Sequence, residues 1–156
     1  MVWLIVGVLV LAALAVWVTW TAGRIDRLGA RCEAAWQSLD AALLRRAASL
    51  RDALDEYPTH RPVGGEIIHR ALDADRDQRA AAENAVSALI ARLPIINDAL
   101  AEACTRVRVA RTFYNDAVRA SAALRSQRVP RMLGLGRSIP LPCYFDIDDE
   151  PGAAGY

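Results

Sequence analysis

The sequence predicts an all-α protein. An N-terminal transmembrane helix precedes a long antiparallel up-and-down three- to four-helix bundle with an irregular C-terminal tail. Three observations carry this prediction. Residues 2–20, VWLIVGVLVLAALAVWVTW, hold no charge. Downstream, apolar residues recur at steps of three and four over proline-free stretches, the signature of helices with one buried face. Alanine dominates the apolar fraction while aromatics make up only 6%, which favours closely approaching helices over a sheet. The expected boundaries are a span at 1–23, a bundle at 24–126 and a tail at 127–156 whose last residues are disordered.

The span comes first. As a helix, Val2 to Ala22 would measure ~31 Å, matching a hydrocarbon core of about 30 Å. Trp3 marks one end and Trp17 and Trp20 the other, where indoles favour the water interface. A cleaved signal peptide would need a basic start and a shorter apolar core, and this stretch has neither. Arg24, Arg27 and Arg31 follow the span at once, against Asp26. The positive-inside rule then puts the N-terminus outside and the bundle in the cytoplasm of a single-pass cell-membrane protein.

The first bundle helix is expected from Arg24 to Tyr57, continuous with the span. Its stripe is Leu28, Cys32, Ala35/Trp36, Leu39, Leu43, Leu50 and Leu54. Arg46 interrupts it where an apolar residue is due. Tyr57-Pro58 ends it, because the residue before proline avoids the α region. His60 to Gly65 reads as a turn by composition. A second helix is expected over 66–93, with Ile68, Leu72, Ala82, Val86, Leu89 and Leu93 on one side. Its polar half, DADRDQR, is a place to fray, kink or split. Pro94 marks a corner, and Asn97 or Asp98 can cap the third helix.

That third helix has the strongest periodicity: Leu100, Cys104, Val107, Arg111, Tyr114, Val118, Ser121 and Leu124. Such a stripe implies packing against partner helices in coiled-coil fashion. Prolines at 130, 140, 142 and 151 exclude a long helix in the tail. Residues 143–147 can lie extended against the bundle.

Charge and motifs exclude several functions. Net charge is +1, which gives no bulk electrostatic case for nucleic acid. All basic residues are arginine, a pattern that fits coding bias. The three cysteines Cys32, Cys104 and Cys143 lack metal or disulfide spacing; Cys32 and Cys104 read as small buried hydrophobes. No nucleophile elbow, phosphate loop or metalloprotease motif occurs. Glu66-Ile-Ile-His69 places two ligand types on one helix face, but a di-iron bundle needs two such motifs and two further glutamates. No metal or cofactor is expected. Arg119, Arg125, Arg128, Arg131 and Arg137 form an acid-free basic stretch that reads first as a solvated face. A specific site for acidic lipid or a phosphorylated partner is its sharper alternative.

Three blocks resemble the LemA family. EAAWQSLDAALLRR, Glu33 to Arg46, is similar to that family's Ala-Trp-x-x-(Ile/Leu)-Asp-x-x-Leu-x-x-Arg helix. VRVARTFYNDAV, Val107 to Val118, is similar to its Ala-Arg-x-x-Tyr-Asn-x-x-Val helix. YFDID, Tyr144 to Asp148, is similar to its closing Tyr-Phe-acid. The middle, residues 58–96, looks shortened against the family pattern. The resemblance implies a membrane-anchored, mainly cytoplasmic antiparallel bundle without an established catalytic activity. Trp36, Asp40, Arg46, Arg111, Tyr114, Asn115, Tyr144 and Phe145 are the positions that match the pattern.

The functional expectation is therefore a non-enzymatic scaffold or adaptor at the membrane. It has protein partners, a capacity for self-association, and no evident small-molecule substrate. Two rival readings remain. One is an enzyme whose site is built from Asp40, Arg111 and Asn115 on facing helices; the same residues can instead be a buried network that fixes helix register. The other is an anionic-lipid sensor in which Arg24, Arg27 and Arg31 contact headgroups, beyond their role in topology. Phe113, off the seam of the third helix, is placed to cover the returning tail, and Asp116 is a surface residue.

Overall fold

A computed structural model describes residues 1–126 and 143–148, apart from the side chains of Ile25 and Arg125. The end of the tail and the guanidinium groups of Arg125, Arg128, Arg131 and Arg137 lie outside the described residues. All regular structure among the described residues is helical: α1 (Val2–Leu54), α2 (Arg61–Asp73), α3 (Arg76–Ile90) and α4 (Asp98–Ser126).

Helix α1 is continuous over 53 residues, so the apolar segment and the first bundle stripe share one helix. No proline interrupts it, and alanine and leucine supply propensity throughout. It ends three residues before the expected Tyr57. Asp55, Glu56 and Tyr57 donate their N–H groups to the carbonyls three residues back. These tighter bonds satisfy carbonyls that the helix end leaves free.

The expected turn at His60–Gly65 is mostly helix. Helix α2 starts at Arg61, with Pro62 in its first turn. Proline suits that position because its missing N–H would have no helical partner there. Gly64 is buried rather than a turn residue, and serves close approach: a Cβ there would stand 2.5 Å from Leu54 Cδ1 and 3.2 Å from Leu89 Cδ2.

The single helix expected over 66–93 is two helices. Ala74 and Asp75 adopt extended backbone, with ψ of 132° and 158°. Aspartates favour helix ends over interiors, and Asp75 accepts the N–H groups of Gln78 and Arg79 through its carbonyl. The break lets α3 return along α2, so that Gly64 near the start of α2 meets Leu89 near the end of α3. Pro94 follows α3, and Asn97 caps α4 by accepting the Leu100 N–H at 2.9 Å.

The chain divides into two compact units. One comprises Met1–Ala34 with Asp116–Pro142. Its apolar helical segment is long and apolar enough to cross a membrane, with mean hydropathy 2.6 over its best window, none of it buried. Thr19 and Thr21 donate their hydroxyls to carbonyls four residues back, so these polar groups are satisfied within the helix, as a lipid setting requires. Arg24 lies over the Trp20 ring at 5.1 Å, while Arg27 and Arg31 are exposed. Cys32, Val118, Ser121 and Leu124 are buried in this unit, and Asp116 is exposed and paired with Arg119.

The second unit comprises Ala35–Asn115 with Cys143–Tyr156. Its core unites Leu50, Ala53 and Leu54 of α1, Ile68 and Ala71 of α2, Val86, Leu89 and Ile90 of α3, and Leu100 of α4. All four helices contribute to it, which is the bundle expected.

Candidate functional site

The candidate site lies in the second unit, built on seam positions that carry polar or aromatic side chains. On α1 the seam runs Leu39, Leu43, Arg46, Leu50 and Ala53. Arg46 thus occupies an apolar slot and is buried there, 1% exposed. On α3 the matching seam is Arg79, Glu83, Val86 and Ile90. Arg79 and Glu83 are also buried.

These three meet. Arg46 Nη2 donates to Glu83 Oε2 at 2.6 Å, and Arg79 Nε donates to Glu83 Oε1 at 2.9 Å. Both carboxylate oxygens are thereby used. Arg46 also reaches the Ser87 hydroxyl at 3.3 Å. Asp40 lies 3.4 Å from Arg79 Nη2 and is the partly exposed end of the chain of charges. Two guanidinium groups face two carboxylates, so the formal charges cancel. Cancellation is what makes burial of such groups tolerable.

The second part of the site is a short strap. Residues 143–148 carry no regular structure and lie on the unit with alternate side chains inward: Phe145 and Ile147 are buried, whereas Tyr144, Asp146 and Asp148 are exposed. This alternation is the period-two geometry of extended backbone. Asn115 holds the strap by its main chain. Its Nδ2 donates to the Phe145 carbonyl at 3.0 Å, and its Oδ1 accepts the Phe145 N–H at 2.9 Å. The Tyr114 hydroxyl donates to the Cys143 carbonyl at 2.9 Å. Asn84 of α3 accepts the Asp148 N–H at 2.8 Å.

Aromatic packing completes the seat. Trp36 meets Tyr114 and Phe145 edge-on, with centroids 5.5 and 5.7 Å away. Such edge-to-face pairs are favoured by ring quadrupoles. The Arg76 guanidinium covers the Trp36 ring at 4.3 Å and lies 5.8 Å from the Tyr114 centroid.

The structure therefore separates the polar residues that the sequence offered as one constellation. Asp40 faces Arg79, and Asn115 holds strap backbone. Arg111 is half-buried, with Nη1 3.9 Å from the exposed Asp146 carboxylate. Of the Tyr144–Phe145 pair, only Phe145 enters the core. Phe113 is 67% exposed, because its neighbour Tyr114 takes the seam and successive helical residues point about 100° apart; most of the tail it was expected to cover, residues 127–142 and 149–156, lies outside the described residues.

Arg79, Glu83, Arg76 and Asn84 are the members that sequence reasoning missed. An open, mainly apolar groove of about 400 Å³ lies elsewhere in the same unit, lined by His60, Val63, Ile67, Leu89 and Arg92 among others. Asp40, Arg111 and Asn115 do not border it. Glu66 pairs with Arg70, and His69 with Asp73. Among the described residues, no cluster of three or more His, Cys, Asp or Glu side chains is arranged to hold a metal ion. No family model, curated protein or solved structure matches the chain.

Proposed function

We propose that this chain is a LemA-like, single-pass membrane protein whose cytoplasmic helical bundle acts as a non-enzymatic scaffold for protein partners. One observation carries the reading. A single uninterrupted helix supplies both an unburied apolar segment of spanning length and a buried seam of the bundle. Tether and domain then share one continuous stretch of helical chain, which suits a bundle anchored at a membrane. Arg24, Arg27 and Arg31 support an outside N-terminus by the positive-inside rule. The Arg24 stack on Trp20 supports an interface at that depth, where amphipathic rings and long cationic stems both settle.

The internal polar groups support the same reading. Asp40, Arg46, Arg79 and Glu83 are engaged with one another, and Asn115 is engaged with backbone. Groups committed in this way fix helix register rather than act on a substrate. Exposed Val109 and Phe113, one turn apart on α4, offer an apolar patch to a partner. The test is in-cell photocrosslinking of the full chain from residue 113. Discrete heteromeric adducts, absent when the probe replaces exposed Glu102, are the expected result. Recovery of only the bare chain at both positions, with the chain in the membrane fraction, would overturn the proposal.

A further inference from the structure

We propose that the seat of the strap is a peptide-docking site, and that its second occupant is the same segment of another copy of this chain. The seat reads main chain through Asn115 and two alternate apolar side chains, Phe145 and Ile147. Recognition of an extended segment through backbone hydrogen bonds plus pockets for alternate residues is a general docking mode for peptides. The intervening Tyr144 and Asp146 side chains are exposed, and Asp146 has a charged neighbour, Arg111 at 3.9 Å.

Every copy carries a segment that fits, because the seat already holds it in cis. Exchange of an identical element between protomers needs no new complementarity. The connection permits it: residues 127–142 separate α4 from the strap, a stretch able to reach roughly 55 Å when extended. No disulfide retains the strap, since Cys143 is a free thiol. Two buried side chains, four hydrogen bonds to Tyr114, Asn115 and Asn84, and the Arg111–Asp146 pair hold it. A short connection gives the cis segment an effective concentration near the millimolar range, so cis seating dominates in dilute protein. Exchange becomes visible when a copy's own strap is disabled. The inference stands apart from the membrane reading, since none of these contacts involves the apolar segment.

Two full-length variants in detergent micelles test it. Phe145→Ala/Ile147→Ala has a vacant seat, and Asn115→Ala has a weakened seat with a normal strap. Mixed at equal concentration, they should associate one-to-one about tenfold more tightly than either does alone. Native mass spectrometry reads this directly. A peptide of residues 142–149 should bind the vacant-seat variant saturably, and its Phe145→Ala form about 30-fold or more weakly. Equal association in all three samples, with no saturable peptide binding, would overturn the proposal. Should the vacant-seat variant lose its helicity, benzoylphenylalanine at exposed position 144 replaces it. In mixed light and heavy isotopic copies, crosslinks between copies support exchange, and crosslinks solely within one copy refute it.

Discussion

Glu83→Ala is the sharpest perturbation of the buried network. It removes the one carboxylate that receives both Arg46 and Arg79, at 2.6 and 2.9 Å. The Arg46 and Glu83 side chains are each 2% exposed, so water cannot replace the lost acceptor. Asp40, 3.4 Å from Arg79 and 37% exposed, remains as the only acid among these partners. Breaking a buried ion pair from one side costs about 3–5 kcal/mol, because the stranded charge stays desolvated. Against a total stability of roughly 5–15 kcal/mol, that is a large share. In thermal unfolding followed by circular dichroism, it should lower Tm by roughly 10–20 °C.

The companion variant separates charge stranding from attraction. Replacing the three buried ions with apolar residues, as Arg46→Met/Arg79→Leu/Glu83→Met, should leave stability within about 1–4 kcal/mol of wild type, on the neutral or stabilising side. A loss below about 1 kcal/mol for Glu83→Ala would mean that the pair behaves like an exposed salt bridge. That result would refute the burial argument. A triple variant weaker than Glu83→Ala would equally refute it, by showing that the ions contribute net stability beyond satisfying one another.

Two further predictions concern smaller effects. Gly64→Ala gains about 1 kcal/mol of helix propensity but meets Leu54 and Leu89 below contact distance, which costs about 1–3 kcal/mol. Gly65→Ala meets nothing within 4 Å and should stabilise by roughly 0.5–1 kcal/mol. In chemical denaturation Gly64→Ala should fall between neutral and about 2 kcal/mol destabilising while Gly65→Ala stabilises, and equal shifts would show that Gly64 has no packing role. The Arg106 hydrogen bond and then its charge hold the Glu102 carboxyl below the ordinary carboxylate range. A lowered folded-state value gives stability that is present above the unfolded-state value and is lost as pH falls through the lowered one. Glu102→Gln should therefore show a small deficit at neutral pH and low salt that closes on acidification. A deficit unchanged by pH or salt would assign the effect to something other than this pair.

Much of the fold was legible because apolar periodicity and proline placement are local signals. The α4 seam, its Asn97 cap and the corner at Pro94 follow from residues adjacent in sequence. The start of α2 was not legible from composition, because Pro62 and Gly64 read as turn residues when counted. Their positions give the opposite reading: proline fits a first turn, and the glycine sits where Leu54 presses close. The α2–α3 break also turns on position, since the aspartates around Ala74 act as an end rather than as a weak interior.

The polar site was half legible for a different physical reason. Arg46 stands out as a charge on an apolar stripe, but the residue that makes it tolerable lies 37 positions away on another helix. Periodicity reports which face a residue occupies, not what faces it. A second signal was nevertheless present. Arg79 and Glu83 keep the four-three-four spacing of Val86 and Ile90, so they too occupy buried slots. Charges of opposite sign on two seams predict one another, since each would be prohibitive alone. Asn115 follows the same logic at the edge of the bundle. Its amide offers a donor and an acceptor together, which matches the C=O and N–H of one residue of an extended chain. Its proper partner was therefore backbone, and the alternation of Phe145 and Ile147 marks where that backbone lies.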